Sequence, residues 1–198
     1  MNRIGSIWLM LVFGGMMACQ NGTPVILETS LIPSTAEVNV YGDVEGLSKA
    51  TQRDDQRILT EGDVLHGVKH GSWVTYDKEG AITSLETYNQ GKKQGVSLKF
   101  DKQGYVETKS YYHSDQLDGE YVVYKRKKVI ETRNYEDGVL NGPLTKYYDN
   151  GTLMQEAPYV EGNLHGLAKW YDQEGNLSIA YRYEDGELVD KNPELEAE

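Results

Sequence analysis

The chain has 198 residues with 31 acidic against 20 basic side chains, and its net charge of −11 opposes binding to phosphate backbones, so nucleic acid is not an expected partner. Its apolar share includes 15 Tyr but only 2 Phe, beside 21 Gly. Tyr needs a partner or water for its hydroxyl, so this composition predicts thin β-structure with half-wet faces and not a thick aliphatic core.

Residues 1–18 read as an export signal. Arg3 supplies a positive start, Ile4 to Met17 is largely apolar, and the small Ala18 precedes Cys19. The apolar run is too short to cross a hydrocarbon core of about 30 Å comfortably as a helix. Cys19 is the only cysteine and has no internal partner for a disulfide. The stretch "MMAC", Met16 to Cys19, resembles the bacterial lipoprotein box. That resemblance implies lipid modification of Cys19 and membrane attachment through the lipid anchor only. Gln20 after it, in place of Asp, favours the outer membrane of a bacterial cell envelope.

Residues 19–56 mix Thr, Ser, Pro, Asn and charges without a sustained period, and are expected to form a tether. "AEVNVYGDV", Ala36 to Val44, is a strand-like piece within it. Arg57 to Leu65 follows as a lone capping strand, with Ile58 and Val64 six residues apart.

From there to about residue 190 the chain repeats itself. Gly71, Gly95, Gly119, Gly142 and Gly166 stand 24, 24, 23 and 24 residues apart, and five residues after each comes an aromatic: Tyr76, Phe100, Tyr124, Tyr147 and Tyr171. Each unit then carries an aliphatic residue and, six positions on, a Tyr: Ile82 and Tyr88, Val106 and Tyr112, Val129 and Tyr135, Leu153 and Tyr159, Leu177 and Tyr183. An even step keeps both members on one face of a strand, whereas a helix would turn them apart. With glycines at the reversals, each unit is expected to be a β-hairpin. Isolated hairpins are marginal in water, so the expected fold is all-β: an elongated antiparallel meander of stacked hairpins, about 10–11 strands over residues 57–190.

Two departures from the repeat carry expectations of their own. The 23-residue unit loses a residue and a Gly within "KRKK", Lys125 to Lys128, so this turn should differ from its equivalents; its charges read as a solvated turn before a docking point for an acidic partner. Pro158 lies inside a strand and cannot donate to a ladder, which predicts a bulge. The acidic tail, residues 191–198, has Pro193 to stop further pairing.

The pattern Gly-x-x-x-Gly-x-Trp-x-x-Tyr-x-x-x-Gly in "GVKHGSWVTYDKEG", Gly67 to Gly80, followed by a Tyr and "GKKQG", Gly91 to Gly95, resembles the variant MORN repeat of bacterial proteins often called YwqK-type antitoxins. The resemblance spans Arg57 to about Val189 and implies a hairpin-repeat scaffold for binding.

Catalytic, metal and cofactor sites are not expected. His70 and His165 share a repeat slot with Gln94, Asp118 and Asn141, which is the behaviour of a polar turn position and not of a ligand set. His66 lies four residues before His70, a spacing that serves a metal only on a helix, and His113 has no evident partner. Trp73, Tyr121 and Trp170 stand outside the regular aromatic rows and are the candidate contact residues, since Trp and Tyr are enriched at binding hot spots. Two functions remain open: an envelope scaffold that binds an unidentified envelope protein, with an immunity or antitoxin role as a special case, and a surface or cell-wall glycan-binding protein. A continuous apolar patch would favour the first, and isolated aromatics flanked by Asp, Asn or Gln the second.

Overall fold

A two-residue reversal with positive φ at both positions twists a hairpin in the same sense as its strands, and Gly at the second position removes the steric cost. The computed structural model, which describes residues 31–191 and 193, has such turns at His66-Gly67, Gln90-Gly91, Asp137-Gly138, Glu161-Gly162 and Asp185-Gly186. In these the first residue has φ of 48–50° and the Gly 82–88°. The strands they join are β1 (Glu37–Val40), β2 (Leu47–Asp54), β3 (Arg57–Leu65), β4 (Val68–Tyr76), β5 (Ile82–Asn89), β6 (Lys92–Phe100), β7 (Val106–His113), β8 (Gln116–Leu117) and β9 (Gly119–Lys125). They continue with β10 (Lys128–Glu136), β11 (Val139–Leu140), β12 (Gly142–Tyr147), β13 (Leu153–Val160), β14 (Asn163–Leu164), β15 (Gly166–Tyr171), β16 (Leu177–Glu184) and β17 (Glu187–Asp190). Each strand line pairs antiparallel with the next, β8, β11 and β14 lying in line with β9, β12 and β15, which gives one open sheet that runs as a meander from β1 to β17. The all-β hairpin meander expected from the repeat is the fold observed, and no described residue is helical.

Apart from the short last strand β17, the strand count exceeds the expected 10–11 for two physical reasons. First, β8, β11 and β14 are two-residue pieces cut from the strands after them by Asp118, Asn141 and His165. The amides of these residues leave the ladder and donate to the carbonyls of Tyr111, Asn134 and Pro158 at 2.9–3.0 Å. The polar repeat slot is thus a strand break, followed by Gly119, Gly142 and Gly166 at φ of 105–108°. These anchor glycines sit in irregular ladder positions and not in the tight turn, which corrects the expectation that they stand at the reversals. At such φ a Cβ is strained, and on Gly142 it would also lie 3.3 Å from the Cβ of Asn134. Gly142→Ala should therefore lower unfolding stability by about 1–3 kcal/mol in urea titration, with an unchanged m-value.

Second, residues 37–54 do not belong to a tether. β1 and β2 extend the sheet beyond β3, with Ala50 opposite Gly62 and Ser48 opposite Val64. Ala50 is fully buried and Ser48 nearly so. Small and hydroxyl side chains fill this strand's inner positions, so no apolar period marks it in the sequence. Residues 1–30, with the expected export signal and Cys19, and most of the tail lie outside the described residues.

Of the two sequence departures, the shortened turn differs from its equivalents as expected, whereas the bulge expected at Pro158 is absent from its pairing with β12. Lys125 to Lys128 closes as a two-residue turn, with Arg126 and Lys127 at φ of 50° and 70°. The equivalent turns are longer loops, Asp77 to Ala81, Asp101 to Tyr105, Tyr148 to Thr152 and Asp172 to Asn176, each closed by an amide-to-carbonyl bond of 2.8–2.9 Å. Pro158 faces Pro143 in regular register across β12 and β13. On its other side the ladder is open between Glu156 and Tyr159, so the missing donor costs no bond.

Candidate binding surface

The sheet has two faces, and irregular pairing decides which residues each carries. At the end of every repeat's first strand the register shifts by one, as where Thr75 pairs with Ser84 but Tyr76 pairs with Ile82. The extra residue inverts the alternation. Ile82 therefore shares a face with Tyr76, while Tyr88, opposite Gly71, lies on the face of Trp73. The expectation that each aliphatic residue and the Tyr six positions later share a face is overturned by this bulge.

The inner face is closed by its own side chains. Trp73 is 3% exposed, Tyr88 4% and Val64 1%; with Ala50 they form a cluster against which Ile32 and Ala36 pack. Gly62 lies directly under the Trp73 ring, where any Cβ would overlap it. The indole Nε1 donates to the carbonyl of Asp63 at 2.8 Å. Trp73 is thus a core residue, and its candidacy as a contact residue is withdrawn: both its ring and its donor are consumed inside the protein.

Charge is threaded through this face. The Tyr88 hydroxyl donates to Glu86 at 2.7 Å, and Lys93 reaches the other oxygen of the same carboxylate at 2.5 Å. Lys69 lies 4.7 Å from the Trp73 ring centre and 4.9 Å from that of Tyr88. Burial alone would raise the Glu86 carboxyl, but the hydrogen bonds from Lys93 and Tyr88 and the charges of Lys93 and Lys69 outweigh it and leave it below the usual range. Burial pushes the Lys69 ammonium down and the Tyr88 hydroxyl up, the latter further raised by Glu86. This ionic group is not evident from the repeat; its signal is a Glu two residues before the repeat-slot Tyr and a Lys two residues after the turn Gly.

Tyr121 and Trp170 lie on the same inner face but are half-buried. Tyr121 packs edge-on against Tyr135 at 6.1 Å with Arg133 over its ring, and Trp170 packs edge-on against Tyr181 at 5.7 Å. Ser97, Ser110, Leu144, Ala157 and Ala168 occupy buried positions between them. The three candidates therefore do not form one patch: Trp73 is sealed, and the other two are engaged with neighbouring rings.

The outer face presents what the inner face does not. Five register pairs, Tyr76 with Ile82, Phe100 with Val106, Tyr124 with Val129, Tyr147 with Leu153 and Tyr171 with Leu177, recur at the same end of successive hairpins on this face. The aromatic members are half-buried, and Ile82, Val129 and Leu177 are 37–43% exposed. Beside this row run Val74, Leu85 and Leu98, paired across β4, β5 and β6, and no second layer of the described residues covers them. The result is a continuous aromatic and aliphatic stripe.

Among the described residues no group of three or more His, Cys, Asp or Glu is placed to hold a metal ion, and no helix is long and apolar enough to cross a membrane. His70 has a buried Nδ1 without a hydrogen-bond partner, while His165 contacts the Asp185 carboxylate at 3.2 Å and His113 the Gln94 amide at 3.3 Å.

No curated protein matches the chain. Among solved structures, the chain is similar to the crystal structure of TarM, at 14% identity, 55% of this chain, 21% of that chain and a TM-score of 0.35. It is also similar to a mutant of S. aureus TarM in complex with Fondaparinux, alpha-GlcNAc-glycerol and UDP, at 12% identity, 55% of this chain, 21% of that chain and a TM-score of 0.36. The chain spans about a fifth of the length of those proteins, and a likeness this weak says nothing about function. The family model of the MORN repeat variant matches residues 140–161 and 164–185, within the last two units.

Proposed function

We propose that this protein is a non-enzymatic repeat scaffold, held at a bacterial envelope by a lipid on Cys19, that binds another envelope protein along its outer face. The observation that carries this reading is the continuity of the stripe. Five aromatic and aliphatic pairs follow one another without a charged member, on a sheet with no covering layer among the described residues. Contiguous exposed apolar surface of this kind suits a protein partner. An immunity role would be one instance of such binding.

The test is a pair of envelope pull-downs, with the tagged full-length chain and with an Ile82→Lys/Leu177→Lys variant. Both residues are on the surface, so the variant should keep the circular dichroism spectrum and melt within a few degrees of the parent. The expected result is a protein partner retained by the parent and lost by the variant. Capture that is equally strong with both, or no captured protein with either, would overturn the reading.

A further inference from the structure

The shortened third unit leaves a gap in the row of loops at one end of the sheet. On one side of it stands the two-residue turn at Arg126 and Lys127; on the other stands the longer loop Tyr148 to Thr152. That loop is also tied to the next one: the Tyr148 hydroxyl donates to the Tyr171 carbonyl at 2.8 Å and the Asn150 amide to that of Gln173 at 3.1 Å. Two hollows open here. One of about 240 Å³ is lined by Lys125, Arg126, Lys128, Ile130 and Asp149, and one of about 500 Å³ by Tyr147, Tyr148, Asp149, Asn150, Met154 and Gln173. They meet at Asp149.

The chemistry of the two halves differs. Lys125 grips both oxygens of Asp149 at 2.8–2.9 Å, and Lys128 donates to its backbone carbonyl at 2.8 Å. Three cations therefore face a single carboxylate, a local positive excess in a chain whose net charge is −11. Among the described residues the Arg126 guanidinium and the Gln173 side-chain amide make no hydrogen bond. The second hollow adds two Tyr rings and two amides beside this charge.

We propose that this junction binds an acidic carbohydrate, a sugar chain bearing carboxylate or phosphate groups. The cations of the first hollow take the anionic group, with Arg126 offering a planar fork to its oxygens. Tyr147 and Tyr148 offer apolar faces to a sugar ring, and the amides of Asn150 and Gln173 match its hydroxyls. An extended acidic peptide fits less well. The backbone amides of Tyr148 and Gly151 are already spent inside the loop, on the carbonyls of Thr152 and Tyr148, so a strand-like ligand finds no ladder to join there. The site is separate from the reading of the outer face as a protein-docking stripe, and only Tyr147 is common to both.

The test is calorimetric titration of the full chain with oligogalacturonate and with a phosphorylated malto-oligosaccharide, which separate the carboxylate from the phosphate form of the ligand. Unmodified malto-oligosaccharide and poly-glutamate serve as controls. Arg126→Ala and Gln173→Ala change exposed loop side chains that hold nothing in place, so both variants should fold. The expected result is saturable binding of at least one acidic oligosaccharide, weaker at high salt, at least tenfold weaker in each variant, and undetectable for the neutral sugar. Absence of binding to both acidic oligosaccharides, binding unchanged in the two variants, or equal binding of poly-glutamate that ignores Gln173→Ala would each overturn the proposal.

Discussion

Replacing Trp73 with Ala is expected to destabilise the protein by about 3–5 kcal/mol, in line with removal of a buried aromatic from a core that cannot collapse around the gap. The ring is 3% exposed and belongs to a cluster with Ala50, Val64 and Tyr88 that lies on one face of a single sheet. Ile32 and Ala36, which pack against the cluster, are too small to fill the volume of an indole, and the Asp63 carbonyl that accepts from it would lose its partner. Gly62→Ala should produce a loss of similar kind from the opposite direction, because its new methyl would occupy the volume of the ring. The check is urea denaturation of both single variants and the double. The double should be less destabilised than the sum of the singles, since the space vacated by one admits the methyl of the other. Additive losses would show that Trp73 and Gly62 do not share a contact surface.

The architecture was legible because it is written five times. Glycines at 24-residue spacing and a Tyr before each turn fixed the hairpins, and the single 23-residue interval marked in advance the one turn with different geometry. Facing was less legible. A step of six residues implies one face only in an unbroken strand, and the bulge after Thr75 and its equivalents reverses the parity, so Ile82 and Tyr88 end on opposite faces. The glycines foretold irregular backbone, but nothing in residue type alone says whether an irregular residue turns the chain or merely inserts into a strand. β2 escaped notice for a related reason. Its inner positions are Ser48 and Ala50, whose burial comes from being small enough to sit beneath neighbouring side chains.

The same limit separates the candidate contact residues from the surface observed. Trp73, Tyr121 and Trp170 were distinguished by breaking the aromatic rows, and an unusual large ring in a repeat serves equally as an anchor for a partner or as a plug for the array's own core. The neighbouring residue decides. Trp73 stands over Gly62 and fills the core, whereas Tyr121 and Trp170 stand beside Arg133 and Tyr181 and remain half-exposed. The regular row from Tyr76 to Leu177 is the one that no second layer of the described residues covers.

Removing the Glu86 carboxylate should be the most damaging change among the polar residues. Its side chain is 21% exposed and Lys93, at 20%, contacts it at 2.5 Å, so Glu86→Ala leaves the Lys93 ammonium and the Tyr88 hydroxyl without their acceptor and Lys69 without its nearby countercharge. Loss of one partner of a fully buried pair costs about 3–5 kcal/mol; residual access to water reduces that to an expected loss of about 2–3 kcal/mol here. The sign of the pH dependence follows from the direction of the shift. Because the folded protein holds the Glu86 carboxyl below its unfolded value, its contribution is fully present above the ordinary Glu range near pH 4.3 and fades as pH falls through the lower folded value. The parent protein should therefore lose melting temperature on acidification below about pH 4.3 more steeply than Glu86→Gln, which keeps the shape of the side chain and has no proton to take up. Parallel acid melting curves for the two would mean that Lys93 and Tyr88 do not hold Glu86 in its charged form, and that the inner face is stabilised by its rings alone.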